Sequence, residues 1–238
     1  MKPLRIDVWS DIACPWCYIG KRHLEHALAG FTHDVAIAWR SFELDPSAPK
    51  QPATQPATQP AAQPMVERLA AKYRTTVEVA QTRLDQVTAV GARDGLELRF
   101  DRMQPGNTFD AHRLLHFAQS HAKQGELKER LFRAYMTDGQ SVADRDVLAA
   151  CARDVGLDAA EVLADPERFA TEVRSDEAIA RELGITGVPF FVFGGRLAVS
   201  GAQPADVLRG ALDRAWADNG ESEQAFADGA ACGPDGCD

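Results

Sequence analysis

The sequence predicts an α/β fold that is interrupted by a large α-helical domain. A strand–helix–strand pattern occupies the first 42 residues, only helical patterns occur between residues 65 and 183, and strand character returns after residue 187. Strands and helices at both ends with helices alone between them indicate one α/β domain split by an insertion. The predicted divisions are the first part of the α/β domain (1–50), a proline-rich loop (51–64), the inserted helical domain (65–183), the second part of the α/β domain (184–217) and a flexible C-terminal tail (218–238).

The first predicted unit has the pattern of a strand, a helix and a second strand. Leu4, Ile6 and Val8 alternate with other residues, which is typical of a half-exposed strand. A helical pattern begins at Pro15 and continues to residue 30, because proline suits the first helical turn, where its missing N–H would have no partner. Residues 35–42 alternate again, which completes a βαβ start of ordinary length.

A proline at every fourth position marks the segment QPATQPATQPAAQP, residues 51–64. Each proline removes a helix donor and favours extended chain, so we expect a mobile surface loop. Six helical segments are then predicted in the insertion, at 65–73, 76–94, 108–125, 127–136, from Asp144 or Asp146 onward, and at 166–183.

Strand character returns in GVPFFVFGGRLAVSGAQ. Residues 190–193 are apolar and β-prone, the Gly194-Gly195 pair is a tight hairpin signal, and residues 197–199 form the returning strand. A last helix is predicted over 204–216. The residues that follow are polar and rich in glycine and alanine, and we expect little fixed structure in them.

The charge balance argues against two classes of partner, nucleic acid and membrane. Lys plus Arg number 26 and Asp plus Glu number 35, which gives a formal net charge of −9. Nucleic acid and anionic membranes both need cationic faces, and no stretch approaches the ~18–20 consecutive apolar residues of a membrane helix. The first residues, MKPLRIDVWS, carry no apolar signal-peptide core, which predicts a cytoplasmic protein whose five cysteines are mostly reduced.

The motif Cys14-Pro15-Trp16-Cys17 follows the first predicted strand and opens the first predicted helix. Residues i and i+3 of a helix have β-carbons about 5–6 Å apart, and a small adjustment brings them to the ~3.5–4.5 Å of a disulfide. Free N–H groups at the helix start stabilise an anion, so Cys14 is the predicted nucleophile and Cys17, further into the helix, the predicted resolving thiol. Trp16 must lie near the surface. No cofactor and no metal are predicted for this dithiol.

The segments DIACPWCYIGKRHL, WRSFELDP, NTFDAHRLLHFA and GITGVPFFVFGGRLAVSGAQ occur in an order that resembles DsbA-like thioredoxin-fold proteins of the FrnE type, over residues 4–217. The resemblance implies a thioredoxin domain interrupted by a helical domain. It also implies dithiol–disulfide exchange on protein substrates, with thioredoxin or glutathione as a candidate electron donor. Pro189 would be the cis-proline that faces the dithiol, and a substrate would contact the Val188 backbone together with Pro15 and Trp16.

Cys232 and Cys237 lie in the C-terminal sequence ACGPDGCD, outside the region of the resemblance. Proline and two glycines favour a tight turn, so closing this short loop costs little entropy, and an exposed bridge of this kind should be exchangeable. We hypothesise that they form a second redox pair that exchanges with the Cys14–Cys17 dithiol. An incidental thiol pair is the alternative.

Two other functions remain open from the sequence alone. Glutathione-dependent small-molecule isomerases and transferases share this architecture, although they typically carry serine at the position of Cys14. A four-cysteine zinc site formed by Cys14, Cys17, Cys232 and Cys237 would suit tetrahedral coordination. Three further residues are interpreted as structural. His112 and His116 are expected at a surface or an interface, and Cys151 is expected to be buried in the core.

Overall fold

The computed structural model describes residues 2–50 and 64–227, and the side chains of residues 2–50 and 64–218. Four strands and nine helices are present in that part of the chain. In chain order they are β1 (Leu4–Ser10), α1 (Pro15–Leu28), β2 (Val35–Ser41), α2 (Met65–Lys72), α3 (Val77–Arg93), α4 (Phe109–Gln119), α5 (Gln124–Met136), α6 (Arg145–Asp154), α7 (Ala160–Ala164), α8 (Ala170–Glu182), β3 (Phe190–Phe193), β4 (Leu197–Ser200) and α9 (Ala205–Ala227).

The four strands form one mixed sheet in the order β2–β1–β3–β4. β1 pairs with β2 in parallel, with Leu4 opposite Val35, and this parallel pair needs the crossover that α1 supplies. β3 pairs antiparallel with both β1 and β4. The predicted hairpin turn at Gly194-Gly195 joins β3 to β4, and both glycines have positive φ, a backbone conformation that would strain a side chain.

The prediction of a half-exposed first strand is wrong, because β1 is buried along most of its length on both faces. The face that was expected to meet solvent carries Asp7 and Trp9, and both find polar partners. Asp7 accepts a hydrogen bond from Nε of Arg40 at 2.7 Å. Nε1 of Trp9 donates to the backbone carbonyl of Asp176 on α8 at 3.0 Å. The inserted domain therefore covers a sheet face that the alternation alone assigns to solvent.

The insertion contains one more helix than the six predicted, because the sequence pattern does not predict α7. The segment predicted as one helix over 166–183 also starts later, as α8. Pro166 lies in a turn before it: the Asp165 carboxylate accepts the N–H of Glu167 at 3.0 Å, and Phe169 has a φ of 63°. The Asp–Pro pair favours a turn, and this preference prevails over the helical pattern of the residues around it.

The last helix is longer than predicted. α9 ends at Ala227 and not at residue 216, so residues 218–227 are helical and the predicted tail begins too early. The last part of this extension, residues 221–227, consists mostly of Glu, Gln and Ala, which are good helix formers. The remaining residues of the predicted tail, 228–238, and most of the proline-rich loop, 51–63, lie outside the described residues.

Two apolar cores meet at α1. The first lies between the sheet, α1 and α9, and includes Ile6, Leu24, Phe191 and Leu208. The second lies inside the insertion and receives Cys17 from the opposite part of α1. Because α1 takes part in both cores, its N-terminus lies at the junction of the α/β domain and the insertion.

Candidate active site

The dithiol lies at the N-terminus of α1, where Cys14 is the N-cap and Pro15 the first helical residue. The Cys14 N–H donates to the carbonyl of Asp11 at 3.2 Å, and the Cys17 N–H donates to the carbonyl of Cys14 at 3.0 Å. Both thiols are free. Cys14 is 6% exposed, Cys17 is fully buried, and Trp16 between them is 40% exposed. A partner molecule can therefore reach Cys14 beside Trp16 but cannot reach Cys17.

The loop before β3 faces this dithiol. The Val188–Pro189 peptide bond is cis, and the Cys14 thiol donates to the Val188 carbonyl with 3.5 Å between Sγ and O. A β-carbon built on Gly20 would lie 2.9 Å from Cγ of Pro189, so α1 packs against the loop with no room for a side chain at that point. The structure brings together Cys14, Val188 and Pro189, and their chemical roles stay predictions.

A buried contact between a carboxylate and a histidine holds the segment between β1 and α1. The Asp11 carboxylate accepts the N–H groups of Ala13 at 3.3 Å and Leu44 at 2.7 Å, and it lies 3.3 Å from Nε2 of His112 on α4. Burial alone would raise the pKa of Asp11, but the hydrogen bonds and the charge of His112 outweigh it, so the pKa is lowered. The inserted domain thus fixes the active-site turn through His112.

Lys128 on α5 is a buried lysine at the end of β1, the strand that leads into the turn before the dithiol. Its side chain is fully buried, and its Nζ donates to Oγ of Ser10 at the end of β1. Burial lowers the pKa of Lys128 to about 8, against the attraction of Cys17, Asp11 and Cys14. Burial also raises the pKa of Cys17 well above that of an ordinary thiol, its hydrogen bond to Cys14 raises it further, and the charge of Lys128 acts in the opposite direction.

An open groove of about 670 Å³ begins beside Cys14 and Trp16 and runs along the inserted domain. A groove of this size accommodates an extended polypeptide segment or a small organic molecule. Most of its lining is apolar and comes from the start of the insertion, including Met65, Leu69, Leu84, Val87, Phe100 and Met103.

The histidines of α4 hold carboxylates at the interface between the insertion and the α/β domain. Nε2 of His116 lies 3.1 Å from Oγ of Ser41 and 3.1 Å from a carboxylate oxygen of Asp176. Across residues 2–50 and 64–218, no group of three or more His, Cys, Asp or Glu side chains is arranged to hold a metal ion. Cys151 is fully buried in the core of the insertion, which confirms its predicted burial.

One prediction on the C-terminus concerns residues that the structure does not describe. Cys232 and Cys237 lie outside the described residues, so their proposed exchange with the dithiol stays a prediction. Within the described part of the chain, no helix is both long enough and apolar enough to cross a membrane.

Sequence reasoning missed three residues of this site, namely Ser10, Asp11 and Lys128. Asp11 could have been predicted from the sequence, because a carboxylate between a strand and a cysteine motif can accept the free N–H groups of that turn. Lys128 could not have been predicted, since the amphipathic pattern of its helix gives no reason to expect a buried cation.

Comparisons with known proteins agree with this fold. Residues 5–213 match the family model described as a DSBA-like thioredoxin domain. The chain is 31% identical over 220 residues to the uncharacterized protein YwbO of Bacillus subtilis, covering 88% of this chain and 96% of that protein. A probable DsbA oxidoreductase from Streptomyces coelicolor has a similar structure, with a TM-score of 0.80 and 43% identity over 99% of this chain and 98% of its own. The fold of a cytosolic disulfide reductase, DsbM from Pseudomonas aeruginosa, is also similar, with a TM-score of 0.57 and 18% identity over 88% of this chain and 97% of its own.

Proposed function

Because this chain belongs to the DSBA-like thioredoxin domain family, we propose that it is a protein thiol–disulfide oxidoreductase acting through Cys14 and Cys17. One observation carries the proposal: a reachable thiol at a helix N-terminus faces the Val188 carbonyl, and a fully buried thiol follows one turn later. The first thiol can bond to a substrate while the second stays protected from it.

Exchange with a substrate disulfide takes two steps. The Cys14 thiolate attacks one substrate sulfur, so that a mixed disulfide forms and the other substrate sulfur leaves as a thiolate, which takes a proton from water. Cys17 then attacks Sγ of Cys14, which closes the protein disulfide and releases the second substrate thiolate. The substrate gains the two electrons that the dithiol loses, and the reverse sequence oxidises a dithiol substrate.

The surroundings of Cys14 support polypeptide substrates. Trp16 and the Val188–Pro189 loop flank the thiol, and the apolar groove extends from it along the insertion. A substrate segment lying there would keep its disulfide next to Cys14. Thioredoxin or glutathione would then return the dithiol to its reduced form, and we propose a cytoplasmic location for this cycle.

The test of the proposed function is turnover of protein disulfides. We expect the wild-type protein to reduce insulin with dithiothreitol and to reactivate scrambled ribonuclease, and we expect Cys14→Ser to lower both rates by about 100-fold or more because the nucleophile is gone. Cys151→Ser, a change at a buried thiol on α6 that is outside the dithiol motif, is the matched control and should keep both activities.

Two results would contradict the proposal. Equal rates for the wild type and Cys14→Ser would show that the dithiol is not the reacting group. Glutathione-dependent turnover of a small aromatic substrate, with no turnover of either protein substrate, would favour the isomerase alternative instead.

We also propose that Cys232 and Cys237 exchange with the Cys14–Cys17 dithiol as a second redox pair. The support is their sequence, since Gly-Pro-Asp-Gly between the two cysteines favours a tight turn, in which a bridge would be short and exchangeable. Truncation before Cys232 should change the redox titration of the dithiol. An unchanged titration and unchanged turnover would refute the exchange and leave the main proposal untouched.

A further inference from the structure

The groove that begins beside the dithiol carries positive charge on its rim. Three of the described residues that line it are exposed cations, Arg68 and Lys72 on α2 and Arg83 on α3. Asp45 is the one carboxylate among the described lining residues, and it accepts the N–H of Ser47 at 3.2 Å and its hydroxyl at 2.6 Å. The groove is therefore locally positive in a chain whose formal net charge is −9.

The three cations of the groove have no counter-ion among the described residues. No carboxylate in that part of the chain lies close enough to Arg68, Lys72 or Arg83 to form an ion pair. Asp85, two residues after Arg83, instead accepts a hydrogen bond from Gln81 at 2.8 Å. One exposed cation in water indicates little, but three on the walls of one groove create a potential that attracts anions.

The two helices present these cations in the same pattern. Each helix lines the groove with four residues at the i, i+3, i+4, i+7 spacing of a single helix face. They are Met65, Arg68, Leu69 and Lys72 of α2, and Ala80, Arg83, Leu84 and Val87 of α3. The apolar members of the α3 set are buried, so its arginine lies at the exposed edge of an apolar stripe. The groove thus combines apolar contact area with positive charge.

Exposed apolar side chains extend this surface to the dithiol. Trp16, Leu44 and Tyr73 all line the groove and are 40%, 38% and 57% exposed. Nζ of Lys72 lies 5.9 Å from the ring centre of Tyr73, so charge and aromatic surface are adjacent. Large apolar side chains that share one exposed groove indicate contact with a partner. The partner that fits this groove offers both apolar side chains and negative charge.

We propose that the groove binds an acidic polypeptide segment, so that the protein acts preferentially on disulfides flanked by Asp or Glu together with apolar residues. This inference rests on the proposed function. Arg68 and Lys72 are four residues apart on one helix, which places their β-carbons about 5–6 Å apart. Side chains on one side of an extended segment recur about every 6–7 Å. Two carboxylates at alternate positions of a substrate strand therefore match this pair.

The sign of the charge preference separates the groove from the molecule as a whole. A net charge of −9 repels acidic peptides and attracts basic ones. The field of the whole molecule therefore predicts faster reaction with a basic peptide, whereas the groove cations predict the opposite order. Because these cations are exposed, their effect should weaken as ionic strength rises.

The experiment measures how fast the reduced full-length protein reduces three cyclic peptides that share one internal disulfide. The peptides differ only at two alternate positions beside one cysteine, which hold Glu, Gln or Lys. Rates are measured by acid quench and mass spectrometry at about 20 mM and about 500 mM salt. Each rate is divided by the rate with hydroxyethyl disulfide, a small neutral molecule, which removes changes in the reactivity of Cys14 itself. Glutathione disulfide, a small anion, is the fourth substrate.

Two triple variants lose the same number of positive charges. The groove variant carries Arg68→Gln, Lys72→Gln and Arg83→Gln. The matched control changes three exposed arginines on α6, α8 and α9 that do not line the groove, namely Arg153→Gln, Arg181→Gln and Arg214→Gln.

We expect the wild type to reduce the Glu peptide about tenfold faster than the Lys peptide at low salt, since three exposed charge contacts act together. At high salt this ratio should fall to about twofold. In the groove variant the ratio at low salt should fall to about one or below, and the control variant should keep the wild-type ratio.

Three outcomes would overturn this inference while leaving the proposed function in place. Equal or faster reduction of the Lys peptide by the wild type would show that the groove cations do not select substrates. An equal loss of preference in both triple variants would assign the effect to net charge. A dependence on the groove cations for glutathione disulfide, without one for the peptides, would assign them to a small anion. If the wild type reduced none of the disulfides, the proposed function itself would fall and this inference with it.

Discussion

Asp11 is the residue through which the inserted domain holds the reactive turn. Its carboxylate accepts two backbone N–H groups, from Ala13 and Leu44, and pairs with His112 on α4. Its carbonyl accepts the N–H of Cys14. Four contacts on one buried residue mean that a change at Asp11 should affect both stability and the dithiol.

We predict that Asp11→Asn lowers the free energy of unfolding by about 3 kcal/mol at pH 7, because the buried turn loses the carboxylate that accepts its N–H groups and contacts His112. The pKa of Asp11 is lowered in the folded protein. A carboxyl of this kind stabilises the fold above its unfolded pKa of about 3.9, and that contribution is lost as pH falls through the folded pKa. The difference between wild type and variant should therefore shrink below about pH 4.

Urea unfolding across the pH range measures this prediction, and Asp45→Asn is the matched control. Asp45 accepts hydrogen bonds from its own turn at Ser47 and is exposed, so its loss should change stability little. A difference for Asp11→Asn that stays constant down to pH 2 would contradict the assignment of this stability to an ionised Asp11.

At the scale of elements, α1 is the helix that the two domains share. Its N-terminus carries the dithiol, one part of it packs on the sheet, and another enters the core of the insertion. Its approach to the Val188–Pro189 loop depends on Gly20. A β-carbon there would lie 2.9 Å from Cγ of Pro189 and 3.3 Å from Cζ of Phe191.

We predict that Gly20→Ala lowers the free energy of unfolding by about 1–3 kcal/mol, since overpacking moves rigid neighbours, and that it slows exchange by displacing the loop from Cys14. Gly125→Ala is the matched control on α5, because its nearest heavy atom would be 3.9 Å away. Alanine should be neutral or slightly stabilising at that helical position. Equal stability of the two variants would show that α1 and the loop are not tightly packed.

At the scale of the whole molecule, the sequence predicts the structural features that depend only on residues close together along the chain. The Cys14–Cys17 spacing, the Gly194-Gly195 hairpin and the split α/β architecture follow from local patterns, and the structure contains them. The burial of Lys128 beside Ser10 joins residues 118 positions apart. Contacts of that range arise from packing between the domains and leave no periodic trace in the sequence.

The same reason explains the misassigned face of β1. The alternation of apolar residues indicates that one face of β1 is apolar, but it does not indicate that α8 covers the other face. On that face Asp7 is hydrogen-bonded to Arg40, and Trp9 is hydrogen-bonded to Asp176. The insertion therefore helps to build the candidate site. It covers the sheet, contacts the turn before the dithiol through His112, and places the buried Lys128 beside Ser10.

The central claim is that Cys14 attacks the substrate disulfide and that Cys17 then resolves the mixed disulfide. Trapping this mixed disulfide tests the claim most directly. Cys17→Ser should accumulate a stable disulfide between Cys14 and a model protein that carries a disulfide, visible on a non-reducing gel and located by peptide mass spectrometry. The double variant Cys14→Ser, Cys17→Ser should trap nothing. A trapped bond at another cysteine of the chain, or no trapped species while the wild type turns over insulin, would contradict the account.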